Sequence, residues 1–115
     1  SLLSRLLSQL GHTTTVVTNG VAALEAVTRS SFDLVLADIK MPGMNGFELY
    51  QALHDQVPEL AARLIFITGD TLTAATQARL AQIGNPYLAK PFAIDRLEST
   101  VQGVLSQYRL GPAGT

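Results

Sequence analysis

The chain has 115 residues, 47% of them hydrophobic, and its nine glycines and five prolines are spread along it rather than gathered in one linker, which fits a single compact domain. Eight Lys and Arg against nine Asp and Glu give a formal net charge of -1, so no basic field suggests nucleic acid and no acidic tail suggests disorder. The absence of cysteine removes disulfide frameworks, thiolate metal sites and cysteine nucleophiles, and is compatible with a reducing, cytoplasmic setting.

Leu2, Leu3, Leu6, Leu7 and Leu10 form one helical stripe broken by Arg5 and serines. The segment therefore reads as an amphipathic helix ending at Gly11 rather than a signal peptide. No run approaches the roughly 18 apolar residues that a membrane span requires, so no direct membrane contact is expected. The β-branched run from Thr14 to Thr18 predicts a short strand ending at Asn19-Gly20, a turn that can also start a helix. Ala23, Leu24 and Val27 then recur at helical spacing before Ser30-Ser31. The apolar run from Phe32 to Ala37 predicts a buried strand ending at Asp38.

Met41-Pro42-Gly43-Met44-Asn45-Gly46 cannot be regular, because Pro42 lacks an amide donor and the glycines favour turns. Phe47, Tyr50 and Leu53 resume a helical stripe. After Pro58, Leu64-Ile65-Phe66-Ile67 predicts a second buried strand that stops at Thr68-Gly69-Asp70. Ala74, Ala75, Ala78 and Ala81 form a small-residue helical stripe capped by Gly84. Pro86 to Ala89 reads as a short strand, and Ile94, Leu97, Val101, Val104 and Leu105 mark a final helix. The domain takes up residues 1–109, with 110–115 a frayed C-terminal tail. Alternating buried strands and helices imply an α/β fold with a parallel sheet covered on both faces. Folds of this class bind ligands at the carboxyl ends of their strands, and Asp38, Thr68 and Lys90 all fall at such ends.

In this ordered set the sequence resembles the receiver domains of two-component signalling across essentially its whole length. Asp38 ends a strand and precedes Met41-Pro42-Gly43-Met44-Asn45-Gly46, Thr68 ends the next, and Lys90-Pro91-Phe92 closes the last, at spacings close to those of the family. The resemblance implies a flavodoxin-like doubly wound parallel sheet. A complete receiver opens with a central strand ending in two acidic residues, whereas this chain opens with the helix that follows it. It therefore reads as N-terminally truncated and lacking that first strand. Residues 64–71 and 84–92 look most like the C-terminal receivers of hybrid sensor histidine kinases.

A receiver is a phosphoacceptor rather than a conventional enzyme, although its parent protein here is consistent with a hybrid histidine kinase. A phosphohistidine on a histidine kinase or histidine phosphotransfer domain would donate to Asp38. Carboxylate attack on phosphorus gives an acyl phosphate through a transition state whose negative charge spreads over three equatorial oxygens. The resemblance assigns Lys90 to one of those oxygens and the Thr68 hydroxyl to another. It places Mg²⁺ between Asp38, the phosphoryl group and the backbone carbonyl of Lys40. With Asp38 the one side-chain carboxylate in the crevice, Mg²⁺ binding by this chain is expected to be weak or absent.

Tyr87 matches the family's aromatic switch, working with Thr68 and passing the change to a surface made by helix four, strand five and helix five. A homodimer through that surface is compatible with the resemblance. Lys40 and Asp70 each stand two positions beyond a site residue, where the family tunes acyl-phosphate lifetime, and their opposite charges suggest an ion pair. The Lys90-Pro91 bond is expected to be cis. Ala93 stands where many relatives place an aspartate that caps the last helix, a loss of about 1 kcal/mol. Met41 and Met44 read as loop anchors, and His12 and His54 as surface residues without a role. Two other readings compete: a pseudo-receiver that binds proteins without being phosphorylated, and a small hydrolase with Asp38 as nucleophile.

Overall fold

A computed structural model describes residues 19–40, 43–69 and 73–107. The helix and strand expected before Asn19, the C-terminal tail, His12, Met41, Pro42 and Asp70 lie outside the described residues.

Helix α1 (Gly20–Arg29) begins where extended Asn19 turns its side chain onto the N–H of Ala22 at 2.8 Å, satisfying one of the donors that a helix start leaves without an intrahelical partner. Strand β1 (Val35–Asp38) ends where expected but starts later, since the residues from Ser30 to Leu34 form the connection instead. Helix α2 (Gly46–Gln56) opens with a reciprocal cap: Glu48 N–H donates to Asn45, and Asn45 N–H donates to the Glu48 carboxylate, both at 2.9 Å. Such a box contributes on the order of 1 kcal/mol.

A short helix α3 (Pro58–Ala61) follows. The sequence reading assigned no element at Pro58, yet proline suits a first helical turn, where no N–H is needed. Strand β2 (Leu64–Thr68) is buried along its whole length. Helix α4 (Ala74–Ile83) is capped at its start by Thr73 and closed by Gly84 at φ 82°, a left-handed conformation that glycine adopts without penalty. Strand β3 (Tyr87–Ala89) and helix α5 (Ile94–Gln107) complete the described chain.

The three strands among the described residues lie in the order β1-β2-β3, all parallel, with Asp38 opposite Ile67 and Thr68 opposite Ala89. Strand β2 feeds two cores because its side chains alternate between faces. Leu64 and Phe66 join Ala23, Ala37, Leu49, Leu53, Leu60 and Leu80 on one side. Ile65 joins Leu88, Leu97, Val101 and Val104 on the other. Phe66 is fully buried, with the rings of Phe47 and Tyr50 centred 5.2 and 5.9 Å away. Burial of a side chain of this kind is worth about 1.5–3 kcal/mol. Met44, at the start of the loop's described return, packs against the same core.

The helix expected from the alanine stripe forms as α4, closed by Gly84, and the structure shows which face it buries. Ala74, Ala75, Ala78 and Ala81 face solvent, and Leu80 enters the core with Thr76 and Ile83 half-buried beside it. Alanine favours helix at any position and carries little apolar area, so its periodicity marks a helix but not the buried face. On the same helix the Arg79 guanidinium lies 5.7 Å over the Phe47 ring. Before β3, the Asn85 amide donates to the carbonyls of Ala61 at 2.9 Å and Leu64 at 2.8 Å, fastening that connection to the start of β2. The Lys90-Pro91 bond is cis, as expected.

Candidate functional site

The carboxyl ends of the three strands bring Asp38, Thr68 and Lys90 to one edge of the sheet. The backbone N–H of Lys90 donates to the carbonyl of Thr68 at 3.0 Å, extending the β2-β3 ladder one residue beyond the strand. From there the Lys90 side chain crosses the end of β2 and places Nζ 3.1 Å from Oδ1 of Asp38. Neighbouring strands stand about 4.8 Å apart, so reaching from β3 to β1 takes most of the lysine's four-carbon stem.

The two side chains are 53% and 44% exposed. An ion pair that open to water is worth no more than about 1 kcal/mol, so fold stability does not account for it. What the contact provides is a cation held beside a carboxylate that remains open to solvent.

Thr68 is buried, 3% exposed, and its hydroxyl donates to the carbonyl of Gly69 at 3.1 Å. The structure therefore joins Asp38 to Lys90 directly and brings Thr68 to the neighbouring strand end, with its hydroxyl turned to the carbonyl of the next residue. Tyr87 lies opposite Phe66 in the ladder, on the same face as Thr68 and diagonal to it. Its side chain is 40% exposed. Lys40 is exposed just past Asp38; the expected ion pair with Asp70 falls outside the described residues. His54, also exposed, sits 3.9 Å from Asp55 at the end of α2, away from this edge.

The backbone around the carboxylate is held from two directions. Ile39 donates its N–H to the carbonyl of Ile67 and accepts the N–H of Gly46 at its own carbonyl, both at 2.9 Å. Gly46 lies against the main chain of Asp38, where a Cβ would come within 2.5 Å of the carbonyl oxygen. Sequence reasoning treated Gly46 only as a turn residue. The available signal was its place immediately ahead of the Phe47 stripe, where a glycine weakens a helix unless something approaches it closely.

Among the described residues no group of three or more His, Asp or Glu side chains is assembled to hold a metal ion. Asp38 and the Lys40 carbonyl supply fewer oxygens than a protein-built divalent site requires, although Mg²⁺ takes as few as one or two carboxylates when phosphate oxygens and water complete its shell. These donors by themselves do not make a metal centre. Among the described residues, too, no helix is long and apolar enough to cross a membrane.

A family model described as the response regulator receiver domain matches residues 1–102. The chain is 36% identical over 108 residues to the DNA-binding transcriptional regulator NtrC of Escherichia coli (strain K12), an alignment covering 94% of this chain and 23% of that protein. It is also 36% identical over 119 residues to the sensor protein EvgS of the same organism, covering 94% of this chain and 9% of that one. Among solved structures, the signal receiver domain of a signal transduction histidine kinase from Syntrophus aciditrophicus superposes with a TM-score of 0.82 at 28% identity, over 98% of this chain and 86% of that one. The chain thus spans less than a quarter of the length of these two curated relatives.

Proposed function

The chain belongs to the response regulator receiver domain family, and on that premise we propose that Asp38 is the residue on which it accepts a phosphoryl group. Receiver domains are the phosphoacceptor modules of two-component systems, and their partners are histidine kinases or phosphotransfer domains. The observation that carries the assignment is the 3.1 Å contact between Lys90 Nζ and Asp38 Oδ1 at the carboxyl edge of a parallel sheet.

In the proposed step an oxygen of the Asp38 carboxylate attacks phosphorus, the N–P bond of the donor phosphohistidine breaks, and the imidazole leaves with its electron pair. The products are an acyl phosphate on Asp38 and an unphosphorylated histidine. Negative charge accumulates on the equatorial oxygens during transfer, and the Lys90 ammonium is already positioned to meet it without reorganisation. Thr68 supplies a second donor once its hydroxyl leaves the Gly69 carbonyl. Tyr87, diagonal to Thr68 on the same face, reports that movement to the surface of α4, β3 and α5, where a second copy could pair.

Receiver domains in general bind Mg²⁺ for phosphorylation. Here Asp38 and the Lys40 carbonyl are the proposed ligands, with weak affinity, and Lys40 and Asp70 set the lifetime of the acyl phosphate. A cytoplasmic location and a hybrid histidine kinase as the parent protein complete the reading. No finding favours the non-phosphorylated alternative.

Incubation with a phosphorylated histidine phosphotransfer protein and Mg²⁺ tests the assignment. The chain gains the mass of one phosphoryl group, and Asp38→Ala gains none. Equal gain by both proteins would overturn it.

A further inference from the structure

We propose that Gly46 is a positioning residue for the acceptor carboxylate, acting through the main chain on either side of Ile39; the inference rests on the reading of Asp38 given above. Gly46 is the first residue of α2 and is buried. A Cβ there would stand 2.5 Å from the Asp38 carbonyl oxygen, 2.9 Å from the Ile39 Cα and 3.1 Å from the Asp38 carbonyl carbon. All three are backbone atoms, which cannot swing aside as the tip of a flexible side chain can.

Conformation does not explain this glycine. Positive φ among the described glycines belongs to Gly43 and Gly84, so Gly46 has a backbone open to any residue, and glycine is among the poorest helix formers. What the position requires is the missing side chain. It lets the start of α2 lie directly on the end of β1, where the Gly46 N–H donates to the Ile39 carbonyl at 2.9 Å. Ile39 in turn donates to Ile67 of β2 at 2.9 Å. The residue after Asp38 is thus tethered both to the helix and to strand β2.

The direction of any displacement follows from what holds each partner. Helix α2 is secured by its capping box and by Leu49 and Leu53, both essentially fully buried. The end of β1 is less buried, and Asp38 is only half-buried. A methyl group at position 46 therefore moves the Asp38 main chain rather than the helix. The shift is at least about half an ångström if the contact is to reach the 3.0 Å that real Cβ atoms keep. Group transfer is sensitive to that scale, since a misplacement of about 1 Å costs on the order of 100-fold in rate.

The test compares Gly46→Ala with Gly84→Ala. Gly84 has φ 82° and open space around it at the opposite end of the sheet, so that variant loses stability without crowding Asp38. With a phosphohistidine phosphotransfer protein as donor and Mg²⁺ present, the rate at saturating donor falls about tenfold or more in Gly46→Ala, while the half-saturating donor concentration stays the same. Gly84→Ala melts at a lower temperature yet labels at the wild-type rate when assayed below its transition. A wild-type saturating rate in Gly46→Ala overturns the proposal, and so does a rise in half-saturating donor alone, which would indicate lost docking.

If the wild-type chain itself takes no label, the acceptor reading has failed, and a crystal structure of Gly46→Ala decides the positioning claim separately. Displaced Asp38 and Ile39 backbones support it, and unmoved ones overturn it. Should Gly46→Ala not fold, amide exchange in the wild-type chain decides. Ile39 and Gly46 amides that exchange only through global unfolding support the tether, and exchange by local fraying overturns it.

Discussion

The backbone N–H of Lys90 donates to the carbonyl of Thr68 at 3.0 Å, so the residue carrying the ammonium is hydrogen-bonded to the residue carrying the hydroxyl. That single bond sets where the lysine leaves the sheet. From this origin its side chain spans the end of β2 and meets Asp38 on the far strand. The position of the cation is thereby tied to the strand ladder rather than to a loop.

Because the Lys90–Asp38 pair is half exposed, its removal separates chemistry from stability. Lys90→Ala is expected to change the free energy of unfolding by no more than about 1 kcal/mol. Phosphorylation of the same variant slows by about 100-fold, the usual cost of losing one pre-positioned group that meets transition-state charge. Urea titration and donor labelling on the same preparation check both halves. A large loss of stability with unchanged labelling would make the pair structural.

Asn85 is expected to behave in the opposite way. Its amide satisfies the carbonyls of Ala61 and Leu64 at the end of the sheet away from the site. Asn85→Ala leaves both without that donor and costs about 1–3 kcal/mol. Asn85→Asp costs more, because a carboxylate turns an oxygen toward each carbonyl. Denaturant unfolding measures the order wild type, Ala, Asp. An Asn85→Ala variant as stable as the wild type would show that water replaces the amide without loss.

Lys40 and Asp70 are expected to act on the lifetime of the phosphorylated state rather than its formation. Lys40→Ala and Asp70→Ala each change the dephosphorylation half-life about twofold or more, and the double variant shows less than the product of the two effects, as interacting residues do. Decay of labelled protein after donor removal gives all three rates. No change in either single variant ends the idea.

The site was legible where one strand run carried it. The apolar runs ending at Asp38 and Thr68 are both strands, β2 buried throughout and β1 only at Ala37, and a parallel sheet gathers polar residues at its carboxyl edge, so the three candidates could be placed together from residue types alone. The direct reach of Lys90 across β2 was not legible, because it depends on strand order and on a hydrogen bond between residues far apart in the chain. Gly46 was hidden for a similar reason: its neighbour is the main chain of Asp38, and no side-chain pattern records a backbone contact. The buried face of α4 was not legible because alanine reports helix and not burial, and Leu80, buried with half-buried Ile83 beside it, is too sparse a signal to set a face. The Asn85 clamp likewise needs the third dimension, since a single asparagine before a proline reads equally well as a turn.

The most direct test is chemical trapping of the bond itself. An acyl phosphate on an aspartate is reduced by borohydride at the activated carbonyl, releasing phosphate and leaving homoserine, whereas free carboxylates do not react. Peptide mass analysis of the phosphohistidine-treated, reduced chain is predicted to find homoserine at position 38 and nowhere else. Homoserine at another aspartate, with residue 38 untouched, would contradict the assignment.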